Sequence, residues 1–184
     1  MKRFIPLLLI PALFTSCAKE DSANVNQDSI YAIYELFYNE ADDKTTARAT
    51  FRFGGPTGTL LELTDPAGVS FDSKALLYNG LTGVHKDEYV GQTTTGTFSY
   101  TNTDGDVYVN STDTIVPIGF PAVDTIDASG AFNFLWTGAA VGQNEIVSVT
   151  IDGTQQQNFE IFSTIIPGKT DLVLSADKLQ NVGE

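Results

Sequence analysis

Along most of the chain apolar and polar residues alternate at every second position, the period of an extended strand and not of a helix. The clearest stretch places Ala47, Ala49, Phe51 and Phe53 on one side and Thr46, Arg48, Thr50 and Arg52 on the other. This predicts a half-buried antiparallel strand with an apolar inner face and a solvated outer one. Before it, Tyr31, Ile33 and Phe37 alternate with Ala32, Tyr34, Leu36 and Tyr38. Both faces are apolar there, so that strand reads as central or covered. The residues between, 39–44, form an acidic turn around Glu40, Asp42 and Asp43.

Turn residues punctuate the rest of the chain. Gly54-Gly55-Pro56 ends the clear strand, and Asp65-Pro66-Ala67-Gly68 separates strands expected at 59–63 and 69–71, with another at 75–78. Strands at 97–100 and 107–110 are joined through Asp104-Gly105, a dipeptide suited to a hairpin turn with positive φ. The later half continues with strands at 132–136, 146–151, 158–162 and 172–174, and with Asp152-Gly153 and Pro167-Gly168 as turns. No long helical period occurs. Short strands at this spacing predict an all-β fold resembling an antiparallel, immunoglobulin-like β-sandwich.

Residues 114–122 contain Pro117, Gly119 and Pro121, a stiff extended passage that suits a domain boundary. Phe51-Arg52-Phe53 before it is echoed by Phe132-Asn133-Phe134 after it. Two sandwich modules in tandem are therefore expected, at 29–113 and 114–184, the second reading as short of its last strand. Residues 17–28 are polar and aperiodic and read as a flexible tether.

The N-terminus carries an address. Met1-Lys2-Arg3 is followed by an apolar run from Phe4 to Phe14, broken by Pro6 and Pro11. A spanning helix needs ~20 apolar residues, so residues 1–16 read as a signal peptide. Phe14-Thr15-Ser16-Cys17 resembles the bacterial lipobox, with Phe14 where Leu is usual. The resemblance implies that the Cys17 thiol receives a diacylglyceryl group and becomes the mature N-terminus. Cleavage after Ala18 is the alternative, because Ser16 and Ala18 are also small residues at alternate positions. The following Lys19, Glu20 and Asp21 resemble the export signal of surface-displayed lipoproteins in Bacteroidetes-type bacteria. That implies a lipid-anchored location in the outer membrane, facing the exterior. A solvated linker would favour the same residue types. Several acyl chains suffice for stable anchoring, so contact with the membrane is expected through the N-terminal lipid only.

Composition narrows the function. The 184 residues are 42% hydrophobic, 11% aromatic and 18% charged, too apolar for a disordered chain. The formal charge is −13, and loss of Lys2 and Arg3 with the signal peptide makes it −15. Such a chain lacks the cations that track phosphates, so no nucleic-acid partner is expected. One cysteine excludes an internal disulfide and a Cys-based zinc cluster, and one histidine excludes a two-His metal site.

Candidate chemistry is sparse. His85, within Val84-His85-Lys86-Asp87-Glu88, reads as a surface-loop histidine in a polar stretch between strands, with no Gly-x-Ser-x-Gly to accompany it. Pro167-Gly168-Lys169-Thr170 imitates the end of a P-loop, but Ser163 stands where the motif needs its first glycine. Asn102-Thr103-Asp104-Gly105-Asp106 resembles the middle of a calcium loop, yet Tyr100 and Ser111 occupy its first and twelfth positions. A hairpin turn fits better. Trp136 shares a strand face with Phe132 and Phe134, which assigns it to the core and not to sugar stacking. The carboxylates single out no glycosidase pair.

Four triplets, Asp21-Ser22-Ala23, Asp28-Ser29-Ile30, Asp113-Thr114-Ile115 and Asp124-Thr125-Ile126, resemble the acceptor of general O-glycosylation in Bacteroidetes-type bacteria. The resemblance implies modification at Ser22, Ser29, Thr114 and Thr125, two in the expected tether and two flanking the boundary, both accessible places. Asn110-Ser111-Thr112 matches the N-linked sequon. The expected function is that of a non-enzymatic surface lipoprotein, a spacer or a module binding a protein or glycan, with no catalytic residue, metal or cofactor. The alternative is a carbohydrate-binding accessory lipoprotein of a glycan-uptake system.

Overall fold

The computed structural model describes residues 19–114, 116–153 and 158–182. The fold is all-β with largely antiparallel sheets and one short helix, and it divides after Thr114 into two compact units. In the first unit β1 (Glu20–Asp21) and two short 3-10 turns lead into β2 (Ile30–Asn39) and β3 (Lys44–Phe53). Then come β4 (Thr59–Glu62), β5 (Gly68–Phe71), β6 (Lys74–Ala75), β7 (Leu77–Asn79), β8 (Val84–Val90), β9 (Thr97–Thr101) and β10 (Val107–Ser111).

One sheet runs β2-β3-β8-β7, with β4 on the same side of β3 as β8 and β1 added to β4 in parallel. It curls into a half-barrel. The other sheet runs β10-β9-β5-β6. The alternation in β3 sets the core: Ala47, Ala49 and Phe51 are each 0% exposed. Aromatic contacts cross between the sheets. Tyr34 stacks on Phe98 at 4.9 Å, Phe51 meets Tyr100 at 4.7 Å, and Phe71 meets Tyr89 at 5.6 Å. Each fully buried side chain of this kind contributes ~1.5–3 kcal/mol of apolar transfer. Burial also pushes the Tyr34 and Tyr100 phenols up to about 12.

Several expectations are corrected. β2 pairs only with β3 among the described residues. It is an edge strand with Tyr31 and Phe37 exposed, not a central or covered one. Its inward residues Ala32, Tyr34 and Leu36 meet the core, which explains one of its two apolar faces. Residues 84–90, expected as a polar stretch, form β8 between β3 and β7. The 75–78 segment splits at buried Leu76 into β6 and β7, which join different sheets. The β9–β10 hairpin turns through residues 102–106, where Asn102 Oδ1 accepts from the N–H groups of Asp104 (3.0 Å) and Asp106 (2.8 Å). Gly105 takes the positive φ, +87°.

The 17–28 tether is corrected from residue 20 onward, because these residues are docked. Ser22 is 0% exposed and its Oγ accepts the Thr64 N–H at 3.0 Å. Gln27 donates to the carbonyls of Ser22 (2.7 Å) and Val25 (2.9 Å), and Val25 packs on the core. Local side-chain hydrogen bonds order a segment that lacks any apolar period.

The second unit contains β11 (Ile118–Gly119), β12 (Phe132–Leu135), β13 (Thr137–Gly138), β14 (Val147–Asp152), β15 (Phe159–Thr164), β16 (Asp171–Leu174) and α1 (Ala176–Val182). Its strands pair as three ribbons, β11–β13, β12–β16 and β14–β15. Inward residues alternate: Phe132 lies opposite Leu174, and Phe134 opposite Leu172. Phe134, Trp136, Val141, Phe162, Leu172, Leu174 and Leu179 make the core. The helix buries Leu179 and Val182, one turn apart.

Candidate functional site

The outer face of the curled sheet carries a concavity in the first unit. On β3 the residues opposite the core set are Lys44, Thr46, Arg48, Thr50 and Arg52. Register carries this face sideways: Phe37 and Glu88 flank Thr46, while Glu35 and Lys86 flank Arg48. On β7, Leu77 lies opposite Lys86 and Asn79 opposite Val84. Phe37, Arg48, Asn79, Thr82 and Lys86 line a concavity of about 450 Å³ on this face, with Thr46 and Val84 between them. Its two walls come from β2 and from the β7–β8 loop, three strand spacings apart, or ~14 Å along the sheet.

The loop wall is built by Asn79. Its Oδ1 accepts from the N–H groups of Leu81 (3.0 Å) and Thr82 (3.2 Å), and its carbonyl accepts from Gly83 (2.8 Å). Gly83 has φ +72°, and a Cβ there would stand 2.9 Å from Leu60 Cδ1. The positive φ favours glycine at that position.

Cations are oriented across the face. Arg48 donates to Glu35 at 2.9 Å, while Lys44 and Lys86 each reach Glu88 at 3.3 Å. Hydrogen bonds from Lys44 and then Lys86 hold the Glu88 carboxyl below its ordinary value. Water screens such exposed pairs, so their effect is orientation more than stability. Arg52 donates to the Gly58 carbonyl at 2.8 Å. Arg48 Nε is buried with no hydrogen-bond partner among the described residues.

The residues of β8 that point inward have a different role. His85 is 4% exposed, packed edge-on to Phe51 at 5.6 Å and against Tyr78 at 4.9 Å. The surface-loop reading is thus overturned: alternation along β8 turns this ring into the core. Burial pushes its pKa down to about 4, so it is neutral at neutral pH. Asp87 pairs with Lys74 of the other sheet, whose Nζ also lies 4.9 Å from the Tyr89 ring centroid. This ion pair lowers the Asp87 pKa and raises that of Lys74.

Cys17 lies outside the described residues. Lys19 and Glu20 are exposed, and the Lys19 ammonium sits 5.5 Å from the Tyr78 ring centroid. Asp21 accepts from the Thr64 hydroxyl and from the Ala23 N–H (2.8 Å), which hold its carboxyl below the usual range. Ser22, expected as an accessible glycosylation acceptor, is instead buried, its hydroxyl turned against Thr64 and out of a transferase's reach. Ser29, Thr114 and Thr125 are exposed. Trp136 is 4% exposed and its Nε1 donates to the Ala139 carbonyl at 2.9 Å. Among the described residues no group of three His, Cys, Asp or Glu stands close enough to hold a metal. No helix among them is long and apolar enough to cross a membrane.

The trough is only half legible in the sequence. The polar side of β3 announces Arg48 and Arg52, but Lys86 and Asn79 reach it through pairings between distant segments. Phe37 reads as a covered residue of a two-faced apolar strand. No protein-family model matches the chain, and comparisons with curated proteins and with solved structures find no match.

Proposed function

We propose that the protein is a non-enzymatic, surface-displayed lipoprotein of a bacterial outer membrane that serves as a binding module. It would be held by lipid on Cys17 alone and would present two immunoglobulin-like β-sandwich modules in tandem, without a nucleic-acid partner or a cofactor. Cys17 carries this reading: it is the one thiol, and it directly follows an apolar run too short to span a bilayer. The cross-sheet aromatic contacts of the first unit favour a sandwich. The oriented polar groups of the outer trough favour binding over a mere spacer. Exposed Lys19 and Glu20 suit a receptor-read export signal, and exposed Ser29, Thr114 and Thr125 suit O-glycosylation.

The test is fractionation of intact cells. Wild type should take up labelled fatty acid and partition into detergent, and Cys17→Ser should do neither. A variant that still partitions like wild type contradicts the anchoring. Lys19→Ala combined with Glu20→Ala should keep the lipid and lose accessibility to external protease. Asp21 is left intact in that variant because it also secures the first turn. Unchanged accessibility contradicts the export signal.

A further inference from the structure

We propose that the trough on the curled sheet binds a saccharide bearing carboxylates, of the uronic-acid class; this rests on the reading of the protein as a binding module. Charge makes the first argument. Lys44, Arg48, Arg52 and Lys86, four of the eight cations left after removal of residues 1–16, share one sheet face with Glu35, Glu88, Glu62 and Asp21, but Arg48 and Lys86 line the concavity itself and no carboxylate does. A chain of formal charge −15 thus places two cations, and no acid, along the lining of this concavity. The flat guanidinium of Arg48 matches a carboxylate, and its Nε is a buried donor without a partner among the described residues.

Shape and chemistry make the second. Phe37, 58% exposed, offers a ring face to the C–H bonds of a sugar, opposite the amide and hydroxyl of Asn79 and Thr82. A volume of about 450 Å³ falls within the ~300–1,000 Å³ of small-ligand pockets.

An acidic peptide would be drawn by the same charges. Extended peptides, however, gain affinity from main-chain hydrogen bonds at a sheet edge. The floor of the trough lies over β3 and over His85 and Lys86 of β8, whose backbone groups are taken up in ladders with strands on both sides. Only side chains are offered there, which is how a saccharide is held.

The experiment is titration calorimetry of the purified full chain with an oligogalacturonate. Binding should weaken at least tenfold for the neutral oligogalactoside, and should fall as salt rises. Arg48→Gln and Lys86→Gln should each weaken it about tenfold, and Thr82→Asp should abolish it. Lys178→Gln, in the second unit, should leave it unchanged. Urea midpoints equal to wild type would show that these exposed substitutions leave the fold intact. No binding of the oligogalacturonate overturns the proposal. So does equal binding of the neutral sugar or of an oligoglutamate peptide, or wild-type binding by both Arg48→Gln and Lys86→Gln. The Cys17→Ser fractionation is independent of this titration, so anchoring and ligand class can fail separately.

Discussion

His85 makes the fold of the first unit sensitive to mild acid. Its ring is wedged between Phe51 and Tyr78, and Nδ1 is buried without a hydrogen-bond partner among the described residues. Protonation there would put a charge where nothing compensates it, so the folded state lowers the pKa from 6.5 to about 4. The unfolded chain takes up a proton as pH falls below 6.5, whereas the folded chain does not until about 4. Stability is therefore intact above 6.5, drains away between 6.5 and 4, and loses nothing more from this group below that. The difference corresponds to a loss of ~3 kcal/mol at pH 4, at about 1.4 kcal/mol per tenfold change in proton affinity. Paired carboxylates such as Asp87 and Glu88, whose values are lowered, add their own loss at more acid pH. His85→Leu keeps a similar volume and those carboxylates but cannot take up the proton. Urea unfolding at pH 7, 5.5 and 4 should show wild type losing ~3 kcal/mol more than His85→Leu across that range. Equal pH dependence in the two proteins would refute the buried, neutral imidazole.

Phe51→Ala should cost ~3–5 kcal/mol, since the ring is 0% exposed and touches Tyr34, His85 and Tyr100. Thr50 lies one position along on the opposite face yet is only 8% exposed, so that face is not solvated there. Thr50→Ala, which removes a smaller side chain, should cost ~1 kcal/mol; similar urea midpoints for the two would contradict the register of β3. Ser22→Ala should cost ~1–3 kcal/mol by leaving the Thr64 N–H without its acceptor. It should also speed proteolysis within residues 20–29, and an unchanged digestion rate would mean that this segment is a tether after all.

Legibility in the sequence tracks the range of the interactions. Strand positions such as β3, β5, β9, β12 and β16 are legible because alternation is a local property that a single core face imposes. The inward set Ala47, Ala49 and Phe51 and the core placement of Trp136 come from the same parity. β8 escapes notice because His85, Lys86, Asp87 and Glu88 carry no apolar period. Its charges are satisfied by residues remote in the chain, Lys74 for Asp87 and Lys44 for Glu88. The docking of residues 20–29 depends on Thr64 and on Thr103, again remote in sequence. The trough combines both kinds of information. Arg48 is visible on its strand, but the wall opposite Phe37 exists only once β7 and β8 have paired.

Mass spectrometry of the N-terminal peptide from protein extracted from its own membranes reads the anchor itself. The expected peptide begins at Cys17 and carries a diacylglyceryl group. An unmodified peptide beginning at Lys19, or one that retains Met1 and the apolar run, would contradict it.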